Sequence, residues 1–280
     1  MPKKKSTNSF PPLPHDQVAW MTFLVPLVIG LGVGYATSAT TAPNVGIVLL
    51  LFWLTALCFF LARYPLLTIA KASNSESQGD SIYWSGIYIS IALLGGITLL
   101  LTTQQWWLAV LGVFSSVSLG INLWLATRRM ETSVASDWTL VLGSALSAPA
   151  GYIAIARSID LVALMVYLLN VLFLGNIMYY FKFKVREQPR VTTAGSDRRA
   201  RLLAARTPIL YSLTAILIVA GLILGGWLPG LALVAMLVPL PKIVLGALER
   251  PVHVNVQHLG TIETLHSLVF LMIVLWAFRW

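Results

Sequence analysis

Residues 161–181 read LVALMVYLLNVLFLGNIMYYF, and residues 182–207 after them read KFKVREQPRVTTAGSDRRARLLAART. The first segment has no charged residue. At about 1.5 Å per helical residue it is long enough to cross the ~30 Å hydrocarbon core of a bilayer. The second segment carries eight Lys and Arg residues and is the longest loop between apolar segments. This succession predicts a membrane-spanning helix that ends at the cytoplasmic surface.

Eight other apolar segments of similar length predict further membrane helices. Together the nine lie near residues 18–36, 45–62, 82–102, 106–126, 138–156, 161–181, 208–225, 227–244 and 261–278. We therefore predict an all-α integral membrane protein, a bundle of about nine transmembrane helices. The connections at 103–105 and 226–227 are very short. Either flanking pair can also be read as one long kinked helix, so eight helices is the alternative.

The chain divides into a tail, residues 1–17, and one transmembrane domain, residues 18–280. The tail has three consecutive lysines and four prolines, and we expect it to be cytoplasmic. A basic stretch before an apolar segment is also typical of a signal peptide. Segment 18–36 is longer than a usual signal core, so we predict an uncleaved first helix. Gly30 and Gly34 within it have the spacing that lets two membrane helices approach closely.

Composition excludes several classes of protein. Hydrophobic residues make up 58% of the chain and charged residues only 10%, against about 25% charged in soluble domains. The net charge of +9 does not indicate a nucleic-acid-binding protein, because the basic residues lie between apolar segments and not on a polar domain. Cys58 is the single cysteine and can form neither an internal disulfide nor a thiolate metal cluster.

The distribution of Lys and Arg predicts the orientation. With the N-terminus in the cytoplasm, 17 of the 19 basic residues fall on the cytoplasmic side, as the positive-inside rule requires. Only Arg157 and Arg279 fall outside. We expect the C-terminus outside and the protein in a bacterial plasma membrane. The basic residues assigned to the inside are Lys3, Lys4, Lys5, Arg63, Lys71, Arg128, Arg129, Lys182, Lys184, Arg186, Arg190, Arg198, Arg199, Arg201, Arg206, Lys242 and Arg250.

Residues 196–206 of the basic loop predict a short capped helix on the inner leaflet, with Leu202 and Leu203 on one side. We expect four arginines there to contact anionic lipid headgroups. They are Arg198, Arg199, Arg201 and Arg206. The bilayer and its anionic lipids are the partners that the sequence predicts.

The best candidate site is at the start of the last apolar segment. Glu263 and His266 are three residues apart, so on a helix they share a face. Ionisable groups inside a membrane usually face protein or a watery cavity, and we propose that the pair binds a polar ligand or relays a proton. The alternatives are a helix-start carboxylate with Thr261 as its cap partner, and a histidine bonded to a neighbouring helix. The single Glu-x-x-His pair does not suffice for a di-iron centre.

Three further residues are expected at the mouth of the same inward-facing cavity: Arg63, Glu131 and Asp137. Each has a simpler interpretation. Arg63 would be a helix-end residue in contact with lipid phosphate, Glu131 a loop carboxylate, and Asp137 an N-cap beside Trp138. Three asparagines inside apolar segments predict interhelical hydrogen bonds. They are Asn122, Asn170 and Asn176.

Several short motifs resemble those of the YwiC-like membrane proteins. They are PHDQVAW at 14–20, RYP at 63–65, RMETSVASD at 129–137, the basic segment 179–187 and LGTIE at 259–263. The resemblance implies a polytopic membrane protein and assigns no activity. In two places the chain differs from the family pattern. Gln17 and Val18 replace a motif histidine and glycine, and Ser136-Asp137 replaces an Asn-Asp pair.

The sequence leaves three classes of function open. The preferred one is a non-enzymatic protein that binds or transports a small or lipidic molecule. The second is a lipid- or isoprenoid-processing enzyme, since nine helices with inward loops are similar to UbiA-type prenyltransferases. The chain has no aspartate-rich loop of the kind that holds magnesium there. The third is a membrane assembly factor. There is no phosphate-binding Gly-rich loop, zinc-protease helix or serine-hydrolase motif, and we assign no catalytic residue, metal site or cofactor.

Overall fold

The protein is a helical bundle in a computed structural model that describes residues 13–14, 17–37, 44–71, 78–193, 198–249 and 255–279. The described residues form helices and no strands. The helices are α1 Gln17–Thr37, α2 Val45–Lys71, α3 Gln78–Thr103, α4 Trp107–Thr127, α5 Val134–Ala145, α6 Ser147–Ala156, α7 Leu161–Lys182, α8 Gln188–Thr193, α9 Arg198–Ala204, α10 Arg206–Leu224, α11 Leu231–Leu237, α12 Pro239–Leu248 and α13 Val256–Ala277. A π-helical segment, Phe183–Glu187, joins α7 to α8. Most of the predicted tail, including His15 and Asp16, lies outside these residues.

Nine helical segments of the described chain are long and apolar enough to cross a membrane, which confirms the predicted all-α membrane bundle. Two of them contain a break. Pro149 lies just after the break between α5 and α6, and Pro239 begins α12 after α11. Proline lacks an N–H and clashes with the preceding turn, so it bends or interrupts a helix.

The two shortest connections are true turns between separate spans. Gln104, between α3 and α4, has φ 55°, and Gly226, between α10 and α11, has φ 74°. A residue with positive φ ends a helix, because it cannot continue the right-handed turn. The eight-helix alternative is therefore wrong for the described residues.

Three predicted helix boundaries are wrong. The sixth span does not end near Phe181 but continues to Val191, so the first part of the predicted basic loop 182–207 is helical. The second helix does not end near Ala62 but continues through the buried Pro65 to Lys71, since packed membrane helices tolerate the lost hydrogen bond. The last helix begins at Val256 and not at Thr261. The Asn255 side chain caps it by accepting bonds from the amides of Gln257 and His258, at 3.0 and 3.1 Å. Thr261 is therefore not a cap, and Glu263 lies about two turns inside the helix.

The centre of the bundle is built by α1 and α7. Helix α1 packs closely against α6, where a Cβ on Gly30 would come within 2.8 Å of the Ala148 backbone. This confirms the close approach predicted from the glycine spacing. Helix α7 is buried along most of its length, whereas α3 and α4 expose many large apolar side chains. Such exposed apolar faces suit contact with lipid tails.

Replacement of Gly30 by alanine should loosen the bundle. The new methyl group would press on backbone atoms that cannot rotate away, at a cost of about 1–3 kcal/mol. Gly112→Ala is the matched control, because a Cβ on Gly112 meets nothing within 4 Å. Thermal unfolding in detergent, followed by tryptophan fluorescence, should show a lower Tm for Gly30→Ala than for the wild type. The Tm of Gly112→Ala should be unchanged. Equal Tm values for the two variants would contradict the close packing of α1 on α6.

Candidate functional site

The end of α7 and the π-helical segment after it carry polar residues on two faces. One face turns towards α5 and the loop before it, and carries Tyr179, Lys182 and Arg186. The other turns towards α12, and carries Tyr180, Lys184 and Gln188. We call this end of the bundle the basic end. It holds the last residues of α2, α4, α7 and α12 and the first residues of α1, α5, α10 and α13.

A fully enclosed ion pair joins the last two spans. The Lys242 ammonium on α12 contacts the Glu263 carboxylate on α13, and their side chains are 2% and 0% exposed. The Lys242 Nζ atom also lies 5.0 Å from the centre of the Tyr180 ring, whose electron-rich face attracts a cation. Separating two such charges from water is expensive and is compensated only when the charges remain together.

A second ion pair also lies near the Tyr180 ring, whose centre is 5.9 Å from the Lys184 Nζ atom. Lys184 contacts Glu249 at 2.5 Å, and Gln188 donates to the carbonyls of Gly246 and Glu249 at 2.6 and 3.1 Å. Gly246 lets this packing occur, because a Cβ there would lie 2.6 Å from the Tyr180 hydroxyl oxygen. We define the ion-pair cluster as the two pairs and the ring close to both ammonium groups: Tyr180, Lys184, Lys242, Glu249 and Glu263.

Polar atoms continue from the ion-pair cluster into the bundle. Glu263 Oε1 and, one turn further along the same face, Ser267 Oγ are buried and make no hydrogen bond to the described residues. On the neighbouring helices, the Ser212 hydroxyl donates to Asn176 Oδ1 at 2.5 Å. This bond confirms Asn176 as an interhelical partner. Buried polar atoms are nearly always bonded, so Glu263 and Ser267 have capacity to bind water or a ligand.

An aromatic stack lies beyond these polar atoms. The rings of Phe173 and Phe270 are parallel, with centroids 3.7 Å apart, and both side chains are fully buried. Phe270 is about 10 Å along α13 from Glu263. Asn170, one turn past Phe173, bonds only its own helix at Val166 O, and its Oδ1 atom has no partner among the described residues. Asn170 therefore does not form the predicted interhelical bond.

His266 does not hydrogen-bond with Glu263. Its Nδ1 atom lies 2.8 Å from the carbonyl oxygen of Ile262 on the same helix, and its side chain is half-buried. The carboxylate points towards Lys242 instead. The two residues predicted as a functional pair thus have different partners, and His253 lies outside the described residues.

The other three predicted site residues have partners on the side of the bundle that faces the Lys182 side of α7. Arg63 Nε donates to Asn122 Oδ1 at 3.4 Å, and Asn122 in turn donates to Ser136 Oγ at 2.9 Å. This confirms Asn122 as an interhelical partner. Asp137 pairs with Lys182, and Glu131 pairs with Lys71. We define the Arg63 cluster as these residues: Arg63, Lys71, Asn122, Glu131, Ser136, Asp137 and Lys182.

The simpler interpretation holds for Glu131, which is a loop carboxylate between α4 and α5, but not for Arg63 and Asp137. Arg63 lies within α2, not at its end, and Asp137 is not an N-cap. That role belongs to Ser133, whose side chain accepts from the Ser136 amide at 3.2 Å. Both carboxylates bind lysines on other helices, because the α4–α5 loop places Glu131 beside α2 and the first turn of α5 places Asp137 beside α7.

The predicted lipid-binding arginines lie in and after α9. Arg199 and Arg206 are exposed, and Leu202 and Leu203 beside them are exposed as well. Arg201 is only 5% exposed, which leaves its side chain little area for a lipid headgroup. The side chain of Arg198 lies outside the described residues. Headgroup binding by this segment stays a prediction.

Sequence reasoning missed the lysine partners of the site. Lys184 and Lys242 were counted only as topology signals, although Lys242 lies within the apolar stretch VPLPKIVLGAL, residues 238–248. A cation in such a stretch needs a buried partner, and that was the available signal. The sequence also predicted one cavity for Arg63, Glu131, Asp137 and Glu263. Asp137 and Glu263 instead pair with Lys182 on α7 and Lys242 on α12, and the packing that separates them cannot be derived from spacing along the chain.

Half of the chain matches a known protein family. A profile described as "YwiC-like protein" matches residues 13–152, half of the 280-residue chain. This confirms the resemblance for the motifs at 14–20, 63–65 and 129–137. The matched part contains all of the Arg63 cluster except Lys182, whereas the ion-pair cluster lies outside it. A comparison with curated protein sequences finds no match.

Breaking the enclosed ion pair from one side should destabilise the protein more than removing both charges. Lys242→Met leaves a buried, unpaired carboxylate and should cost about 3–5 kcal/mol. Lys242→Met/Glu263→Met should be close to wild type in Tm, since two apolar residues of similar volume replace the pair. Lys71→Met, which breaks an exposed pair, should cost less than about 1 kcal/mol. The interpretation would be contradicted if Lys242→Met and Lys242→Met/Glu263→Met lowered the stability of the protein equally.

Proposed function

The chain belongs to the YwiC-like family, and we propose that it binds or transports a small or lipidic polar molecule through a site at the basic end of its bundle. The site is the ion-pair cluster together with Ser267. Its chemistry is that of hydrogen-bond acceptors beside a cation, which suits a ligand with polar or ionised groups.

One observation carries this proposal: Glu263 is wholly buried in an apolar bundle, yet one of its two carboxylate oxygens has no hydrogen-bond partner in the described chain. A buried charge with an unused acceptor is costly, and ionisable residues in membrane spans most often serve transport or binding. A ligand donor, or a proton held by Glu263, would satisfy the free oxygen.

The polar atoms deeper in the bundle suggest a path for that ligand. Ser267 continues the face of Glu263 towards the membrane interior, and the Phe173–Phe270 stack closes the path. Movement of α13 relative to α7 would have to separate those rings. We propose that Glu263 binds the ligand or a proton. Lys242 gives up its contact with Glu263 when the ligand enters, and His266 relays a proton at the half-exposed rim of the site.

The orientation follows from charge. We propose that the basic end faces the cytoplasm, because 17 of 19 Lys and Arg residues are assigned there and only Arg157 and Arg279 to the other side. A bacterial plasma membrane is the corresponding location, with anionic lipids of the inner leaflet around α9.

A second candidate function is membrane assembly. It is favoured by the fact that the four described ion pairs all join different elements of the chain, as residues that only fasten helices together would do. A UbiA-like lipid-processing enzyme is the third candidate, on architecture alone. The two main candidates differ in whether the ion-pair cluster retains a small molecule.

Native mass spectrometry of protein gently extracted from its own membrane should find a non-protein molecule bound to the wild type. The molecule should be lost from Lys242→Met/Glu263→Met, which keeps the packing but removes the charges. It should be retained by Glu187→Gln, a control that changes an exposed carboxylate.

Either of two results would reject the proposed binding function. One is a wild-type protein without a small molecule but with a stoichiometric protein partner, which would support the assembly function. The other is an adduct that is present equally in all three proteins, since that molecule would not depend on the ion-pair cluster.

A further inference from the structure

Arg63 occupies an unusual position for a cation. It is eight residues from the end of α2, about 12 Å along the helix from Lys71, and its side chain is half-buried. Its described hydrogen bond is to the neutral amide of Asn122 at 3.4 Å. The Tyr64 ring lies beside it, with its centroid 5.9 Å from the guanidinium carbon. The direct contacts of Arg63 are thus with neutral groups.

The carboxylates near Arg63 already have lysine partners. Glu131 pairs with Lys71, and Asp137 pairs with Lys182. Asp137 is also close enough to interact electrostatically with Arg63, so one carboxylate serves two cations. The Arg63 cluster therefore carries one positive charge in excess, and a cation within a membrane-spanning helix needs compensation.

Two contacts hold the α4–α5 loop, Arg128–Ser133, which carries Glu131 of the Arg63 cluster. Lys71 of α2 holds it through Glu131, and Arg186 on the other side donates to the Thr132 carbonyl at 3.2 Å. Arg186 adds a second positive charge that has no carboxylate among its described partners. The guanidinium of Arg63 is itself oriented, because Asn122 is anchored by the buried Ser136.

We propose that the Arg63 cluster is a binding site for a phosphate-bearing anion, with Arg63 and Lys182 supplying the charge and Asn122 fixing the direction of the guanidinium. A planar guanidinium presents several N–H groups to phosphate oxygens at once. An anion there would neutralise the excess charge of the cluster. The phosphate belongs either to an anionic lipid headgroup or to a soluble molecule that enters from the basic end. This site lies across α7 from the ion-pair cluster and does not depend on the transport proposal.

The test uses full-length protein in nanodiscs of neutral phosphatidylcholine, with thermal unfolding followed by tryptophan fluorescence. In one arm, part of the lipid is replaced by phosphatidylglycerol; in the other, inorganic phosphate is added at constant ionic strength. We expect one of these to raise the wild-type Tm by roughly 3–8 °C. Phosphatidylglycerol alone indicates a lipid headgroup, whereas an effect of phosphate indicates a soluble anion.

The variants distinguish the site from a general charge effect. Arg63→Gln should lose at least half of the rise, and Arg63→Lys should lose part of it, since it keeps the charge without the planar fork. Arg279→Gln is the matched control, because it removes an exposed arginine at the other end of the bundle, and it should keep the full rise. The proposal is overturned if neither additive raises the wild-type Tm, or if Arg63→Gln keeps the full rise. If Arg63→Gln does not fold, an undiminished rise in Arg63→Lys overturns the proposal on its own.

Discussion

The hydrocarbon core of a membrane offers no water to a charged side chain, so Lys242 and Glu263 can exist at their depth only by holding each other. This constraint determines much of the surrounding structure. It requires α12 and α13 to stay together, brings the Tyr180 ring over the ammonium, and leaves no room for a side chain at Gly246. A pair of this kind contributes little net stability but penalises any arrangement that separates its members.

Helix α7 organises the rest of the basic end. Its two polar faces hold two charged groups, the ion-pair cluster and the Arg63 cluster, which differ in character. The ion-pair cluster is internally balanced, and its Lys242–Glu263 pair is closed off from solvent, with one unused carboxylate oxygen. The Arg63 cluster has excess positive charge and includes Glu131 of the α4–α5 loop. The part of the chain that matches the YwiC-like profile contributes most of the Arg63 cluster and none of the ion-pair cluster.

The fold could be predicted from the sequence because it depends on local properties. Apolar length gave the nine spans, and very short polar connections gave the turns at Gln104 and Gly226. The boundaries at Pro65 and Val256 could not be predicted, since packing by neighbouring helices permits a proline inside a helix and Asn255 competes with Thr261 for the cap. The partner of Glu263 was missed because Lys242 is 21 residues away on another helix. Which lysine a buried carboxylate meets depends on how helices pack, and a single sequence does not record that.

The π-helical segment Phe183–Glu187 has a consequence for how the chain tolerates change in length. Each of its turns contains one residue more than an α-helical turn, so every residue after it is rotated by about 100° relative to an uninterrupted α-helix. Lys182 lies just before this segment and Lys184 lies within it, and the two lysines belong to different charged groups. A single-residue deletion here would shorten the chain only slightly but would change the angular phase of Gln188 and α8. In this part of the molecule the number of residues, more than their identity, keeps the two groups in register.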